Sequence, residues 1–435
     1  MEDALQEGHG TVPDCLRQCF FISAVFGAEQ SPQHYPSNLC LKPAENWALK
    51  RFSLCINSDG HSHLSAYERK RLKNITENAK FFAALKLHEH FGDLWWLWCS
   101  RYQESLSSMV LSEENVRKVV KSRVCSMAIH PSESTILVAA GDKWGTLCLL
   151  PKTSINQRLY FQSSEGAHIF TPHNLQISCM HFSPCNPAHL LSLSTDSLRC
   201  GDVTRAVFDE ICRSEENFSS FDFLEDSAST AIVGHWDGAV AVVDRRTPGT
   251  SAELSADIGF KKTRTVHVHP VNKQYFLAAG LVDVCVFDVR YLKPRGNQPV
   301  SSLTGHTKSV ASAYFSPVTG SRVVTVCADD KLRVYDTTSL SSTITALSSI
   351  RHNCNTGRWL TRFRAIWDPK QEHCFLVGTM AQPRRISVFQ DTGKLLHSFY
   401  NTDWLTSVCS INVVHPTQNV LVGGNSSGRL HVFKE

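Results

Sequence analysis

The chain has 435 residues, 42% hydrophobic and 19% charged, a globular composition long enough for one large core or two ordinary ones. A formal net charge of +4 is too small for a global field to hold nucleic acid, so any such attraction must come from local clustering. The longest apolar patches, residues 19–28 and 94–99, fall short of the roughly 18 residues a membrane span needs, and the start, Met1-Glu2-Asp3-Ala4, lacks the basic region of a secretory leader. A soluble, intracellular protein is expected.

The 16 cysteines stand singly, with no C-x-x-C spacing. Cys125, Cys179, Cys285 and Cys409 fall inside predicted strands. They read as small buried hydrophobes in a reducing compartment rather than as a disulfide framework, with structural zinc the lesser alternative.

Residues 1–66 have no sustained periodicity, and disorder is expected there. Tyr67 to Leu87 has no Gly or Pro and places Leu72, Ile75, Ala79, Phe82 and Leu85 at three- and four-residue steps, which predicts an amphipathic helix with a basic N-terminal half. Its charged face is either solvated or bound to a partner or nucleic acid. Residues 88–108 complete a helix-and-linker segment over 67–108 and contain the aromatic run Leu94-Trp95-Trp96-Leu97-Trp98, whose packing partner the sequence does not reveal.

From Met109 the chain repeats. An apolar strand, a turn often marked by x-Pro, a second strand, a polar turn and a third strand ending near Asp recur seven times. The first strands begin at Val124, Ile177, Phe218, Thr265, Val310, Phe363 and Val408, at intervals close to the roughly 40–45 residues of a WD-type blade. The expected fold is all-β, a seven-bladed WD-repeat β-propeller over 109–435 with an N-terminal helical or disordered extension. The chain ends at Leu430–Glu435, after a third strand, so the stretch from Met109 to Val120 is expected to supply the missing outer strand and close the ring.

The segments Gly234-His235-Trp236-Asp237-Gly238 with Asp244-Arg245-Arg246, Arg264–Pro270, His306–Pro317, Thr356–Phe363 and Gly424–Gly428 resemble the WD-repeat protein 76 family, as does the helix Tyr67–Leu87. The resemblance covers about residues 65–435. That family is similar to the small subunit of the damaged-DNA-binding complex, a propeller holding DNA on one face and the adaptor of a cullin 4 ubiquitin ligase on the other. Members carry a long Lys/Arg-rich segment before the closing strand, where only about 20 residues, His88 to Ser108, stand here, so a shortened form is expected.

Propeller geometry sorts the remaining residues by face. Outer-to-inner and second-to-third strand turns share one face, and there fall Lys121, Arg123, Lys143, Trp144, Trp236, Lys261, Lys262, Arg264, Lys308, Lys331, Arg384, Arg385 and Arg429. The longest connection on that face adds Arg351, His352, Asn353, Arg358, Trp359 and Arg362. Cations from every side with Trp among them suit phosphate contact and base stacking, although such faces also bind peptides. By resemblance, Arg351 to Trp359 occupies the place of a hairpin that inserts into DNA in the damaged-DNA-binding relative.

On the opposite face, Asp244-Arg245-Arg246 and Asp288-Val289-Arg290 match the Asp-x-Arg part of the box carried by cullin 4 receptors. An arginine fork there suits backbone carbonyls and carboxylates of an adaptor. Alternatively each Asp caps its own turn and pairs with its own Arg.

His267 and His269 lie at metal-compatible spacing but lack a third ligand at a recognisable interval, so packing roles are expected. With no G-x-S-x-G, phosphate loop or paired-carboxylate motif, neither enzyme activity nor a metal or cofactor is expected. The expected function is a nuclear, non-catalytic DNA- or chromatin-binding protein of the DNA damage response, serving as substrate receptor of a cullin 4 RING ubiquitin ligase. Its partners would be DNA, the ligase adaptor (the large subunit of the damaged-DNA-binding complex) and other nuclear proteins. The alternative is a chromatin-associated peptide- or histone-binding scaffold with no ligase role.

Overall fold

The computed structural model describes residues 99–152 and 167–435; the expected disorder of 1–66 and the helix 67–87 lie outside them. Seven sheets follow one another along the chain as blades, antiparallel except where Thr343–Ile344 adds a fifth strand, parallel to Ser301–Leu303, to blade four. Blade one is Val124–Ile129, Ile136–Asp142, Leu147–Lys152 and His168–Phe170, and blade two Cys179–Phe182, His189–Leu193, Ser197–Asp202 and Val207–Arg213. Blade three is Phe218–Phe223, Thr230–His235, Val240–Asp244 and Leu254–Ala256, and blade four Thr265–Val268, Tyr275–Ala279, Val284–Asp288 and Ser301–Leu303. Blade five is Val310–Phe315, Arg322–Cys327, Lys331–Asp336 and Ala346–Arg351, and blade six Ile366–Trp367, Cys374–Thr379, Arg385–Gln390 and Leu395–Tyr400. Blade seven joins the two ends of the ring: Cys409–Val414, Val420–Asn425 and Arg429–Lys434 take Val116–Lys118 as their outer strand, with Val116 opposite His431. The two ends of the described ring are thus joined by strand pairing within one blade.

The x-Pro turns have a shared physical cause. Proline bars the residue before it from helical backbone, and that residue is repeatedly a side-chain acceptor for the turn's free N–H groups. His130 Nδ1 accepts from Ser132 N, His269 Nδ1 from Val271 N and Asn272 N, His415 Nδ1 from Thr417 N and Gln418 N, and Asp368 Oδ1 from Lys370 N. His269 is therefore a turn cap. His267 accepts from Phe315 N on the next blade.

The core lies between blades. Phe218, Phe221 and Phe223 of blade three pack on Leu191, Leu193 and Leu198 of blade two, and each fully buried aromatic contributes about 1.5–3 kcal/mol. Side chains of the inner strands stitch neighbours together: Val266 N donates to Ser220 Oγ at 2.7 Å and Val268 N to Asp222 Oδ2 at 2.7 Å. The cysteines at 125, 179, 285 and 409 are buried free thiols.

Residues 99–108, read from the sequence as linker, are helical. Tyr102 and Leu106 sink into the cluster shared by blades six and seven, with Phe399, Leu405 and Phe433. The Tyr102 hydroxyl donates to Asp368 Oδ2 at 2.7 Å.

Candidate nucleic-acid interface

The connection from blade five to blade six, residues 352–365, organises one face. It is pinned at its start, where His352 N donates to Asp330 O and Cys354 N to Asp330 Oδ1 at 2.8 Å. His352, expected as a surface contact, is instead buried, with its Nε2 3.0 Å from Gly378 O and its ring edge-on to Phe363. The connection then reaches the far side of the ring. Arg123 Nη1 donates to Arg358 O at 2.6 Å, Thr361 Oγ1 to Val124 O at 2.6 Å, and Arg364 Nη2 to Ser178 O at 2.8 Å. Partners on blades one and two mean that it spans the mouth of the central channel. Phe363, 1% exposed, anchors its return into blade six.

Trp359 projects from this bridge and is 83% exposed, next to exposed Arg358. Opposite, the Arg264 guanidinium lies 5.0 Å over the Trp236 ring, a cation–π contact. Arg264 Nε is buried and has no hydrogen-bond partner among the described residues. Burial, then repulsion from Arg362, pushes Arg264 down to about 10, so it stays charged at neutral pH but carries a desolvated positive charge.

Around this centre Lys121, Lys261, Lys262, Lys308, Lys331, Arg351 and Arg429 are exposed. Lys143 Nζ sits 4.9 Å over the Trp144 ring, itself 63% exposed. Arg384 and Arg385 are turned back onto carbonyls of their own turn, Met380 O for the first and Gln382 O and Pro383 O for the second.

On the other face the two Asp-x-Arg units adopt one geometry. Arg246 N and Nε donate to Asp244 Oδ1 at 2.9 and 3.0 Å, with Nη2 to Oδ2 at 2.6 Å. Arg290 N and Nε donate to Asp288 Oδ1 at 3.0 Å each, with Nη2 to Oδ2 at 2.6 Å. The bidentate hydrogen bond from Arg246 holds the Asp244 carboxyl down at about 2. Nη1 of each arginine has no hydrogen-bond partner among the described residues, so two forks of identical pose project from neighbouring blades. A groove lined by Cys200, Asp202, Ser227 and Arg245 runs beside the first. Arg290 also lies 5.6 Å over the exposed Tyr291 ring, an aromatic neighbour that the motif reading did not include.

Seven blades, six of four strands and one of five, with the last completed by an N-terminal strand, define a WD-repeat-type β-propeller. The chain is 58% identical over 337 residues, 77% of its length, to WD repeat-containing protein 76 of Xenopus laevis, covering 57% of that protein. It is likewise 58% identical over 334 residues to WD repeat-containing protein 76 of Mus musculus, covering 52% of it. At 28% identity over 369 residues it is similar to the DNA damage-binding protein cmr1 of Aspergillus clavatus, covering 68% of that protein. The chain thus spans about half the length of the WD repeat-containing relatives it matches. No protein-family profile matches it.

Proposed function

We propose that this propeller is a nuclear, non-catalytic DNA-binding protein of the DNA damage response. The observation that carries the reading is the bridge over the channel mouth. It holds Trp359 out to solvent with Arg358 beside it, and three residues on carries Arg362, which lies near Arg264; no carboxylate neutralises either of these two arginines among the described residues. An exposed aromatic flanked by cations is what an unstacked base and its phosphates require, and a desolvated unpaired guanidinium gains most from a phosphate. The name of the Aspergillus clavatus relative, a DNA damage-binding protein, supports the same reading. The opposite rim, with its two pre-oriented arginine forks, would receive the cullin 4 ligase adaptor, making the chain a substrate receptor that acts by raising local concentration.

The test is duplex DNA binding as a function of salt, with Lys262→Glu and Arg358→Glu beside the wild type. Affinity should fall linearly on a double-logarithmic scale as salt rises, and each reversal should weaken binding about tenfold. Salt-independent binding, or unchanged affinity in both variants, would overturn it.

A further inference from the structure

One side chain on this face has lost the work done at its position in other blades. The second-to-third strand turns of blades one, three and seven align as Gly141-Asp142-Lys143-Trp144-Gly145, Gly234-His235-Trp236-Asp237-Gly238 and Gly424-Asn425-Ser426-Ser427-Gly428. In blade one Asp142 Oδ1 accepts from Trp144 N at 2.8 Å and Thr146 N at 3.0 Å. In blade seven Asn425 Oδ1 accepts from Ser427 N at 3.0 Å and Arg429 N at 3.0 Å. Blade three has His235 there, and the turn is capped instead by Asp237, whose Oδ1 accepts from Ala239 N at 3.1 Å.

The imidazole of His235 is left over. It is 5% exposed and packed 4.9 Å from the Phe218 ring, yet neither Nδ1 nor Nε2 has a hydrogen-bond partner among the described residues. A buried polar group without a partner is destabilising, so an orphaned imidazole calls for a ligand. A neutral imidazole offers a nitrogen lone pair to a cation. Two carboxylates converge on it. One ligand atom each from His235, Asp237 and Glu216, the last from the connection entering blade three, lie within 4.8 Å of one another.

The turn itself is rigid. Gly238 has φ +109°, and a Cβ there would lie 1.8 Å from Phe260 O; Thr263 Oγ1 donates to Gly238 O at 2.9 Å. The imidazole is thus fixed, whereas both carboxylates are exposed and can swing inward to the roughly 2 Å bonds of a metal site.

We propose that His235, Asp237 and Glu216 bind a borderline divalent cation of the zinc class, through one imidazole nitrogen and two carboxylate oxygens, with a coordination position left to solvent. Imidazole with carboxylates selects zinc or cobalt over the all-oxygen sites of calcium and magnesium. The cation would sit beside Trp236 on the basic face, and the proposal stands independently of what that face binds.

The test titrates the full chain with zinc against a chromophoric chelator and with cobalt(II) followed by visible absorption. It compares the wild type with His235→Asn, which restores the residue type of blade seven, and with Glu216→Gln combined with Asp237→Asn at the exposed ligands. Thermal unfolding of the apo forms checks that each variant folds. One equivalent should bind to the wild type, with a cobalt spectrum free of thiolate charge transfer, and affinity should fall at least about tenfold in both variants. Absence of stoichiometric binding, a thiolate band from the cysteines, or undiminished affinity in the folded carboxamide variant would overturn the proposal.

Discussion

The two faces of the ring handle arginine in opposite ways. On the rim that carries Asp-x-Arg, each fork closes on a carboxylate two residues earlier, so its pose is set by its own turn. At the channel mouth, Arg123 and Arg264 come from two other connections than the bridge that carries Arg358 and Arg362, and the ring brings the three segments together. Local pairing yields an oriented, already neutralised donor, suited to docking against a preformed protein surface. Long-range assembly yields concentrated positive charge that no carboxylate neutralises among the described residues, which is what a polyanion exploits.

The largest effect tests how the mouth is built. Phe363→Ala removes the buried anchor of the bridge and should cost about 3–5 kcal/mol of folding stability, read by denaturant unfolding, with DNA affinity lost before adaptor capture as the bridge loosens. A cost below about 1 kcal/mol would mean the bridge does not depend on this anchor. Next, Trp359→Ala should weaken single-stranded or damaged duplex binding by about 1–3 kcal/mol without changing stability, measured by fluorescence anisotropy; equal affinity would remove Trp359 from the interface. On the other rim, Arg246→Ala combined with Arg290→Ala should reduce co-purification of the cullin 4 adaptor about tenfold while leaving DNA affinity in place. A matched loss of both would erase the distinction between the faces.

The smallest effect concerns acid. Asp244 is held at about 2 in the folded chain against an ordinary 3.8. Because the folded value is lowered, its contribution is present above 3.8 and disappears as pH falls toward about 2. Asp244→Asn should therefore lower the neutral-pH melting temperature slightly and flatten its decline across that window by the same small amount, since the pair is solvent-screened. An identical acid profile would show that the pairing carries no stability.

The seven blades were legible because each is specified by its own short segment. An apolar strand, a His/Ser/Asp-Pro cap and a Gly-ended turn all act within a few residues of themselves, as His130 and His415 illustrate. The Asp-x-Arg forks were legible for the same reason, although the motif left open whether Arg paired with its own Asp. The mouth was legible only as a set of positions on one face. That Arg123 would hold Arg358 O, 235 residues away, or that His352 would turn inward onto Gly378 O, depends on ring closure and the path of one connection. The helix 99–108 was missed because Tyr102 and Leu106 find their partners near the far end of the chain, in Phe399 and Phe433. His235 was read only as part of a turn. Its signal lay in the comparison with Asp142 and Asn425 at the matching positions.

The most direct measurement is the salt slope of duplex DNA binding for the wild type and for Arg264→Gln combined with Arg362→Gln, both checked for unchanged melting temperature. If the unpaired arginines at the mouth meet phosphate, the slope of log affinity against log salt becomes shallower by about 2. An unchanged slope in the folded double variant would contradict the assignment of this face to DNA.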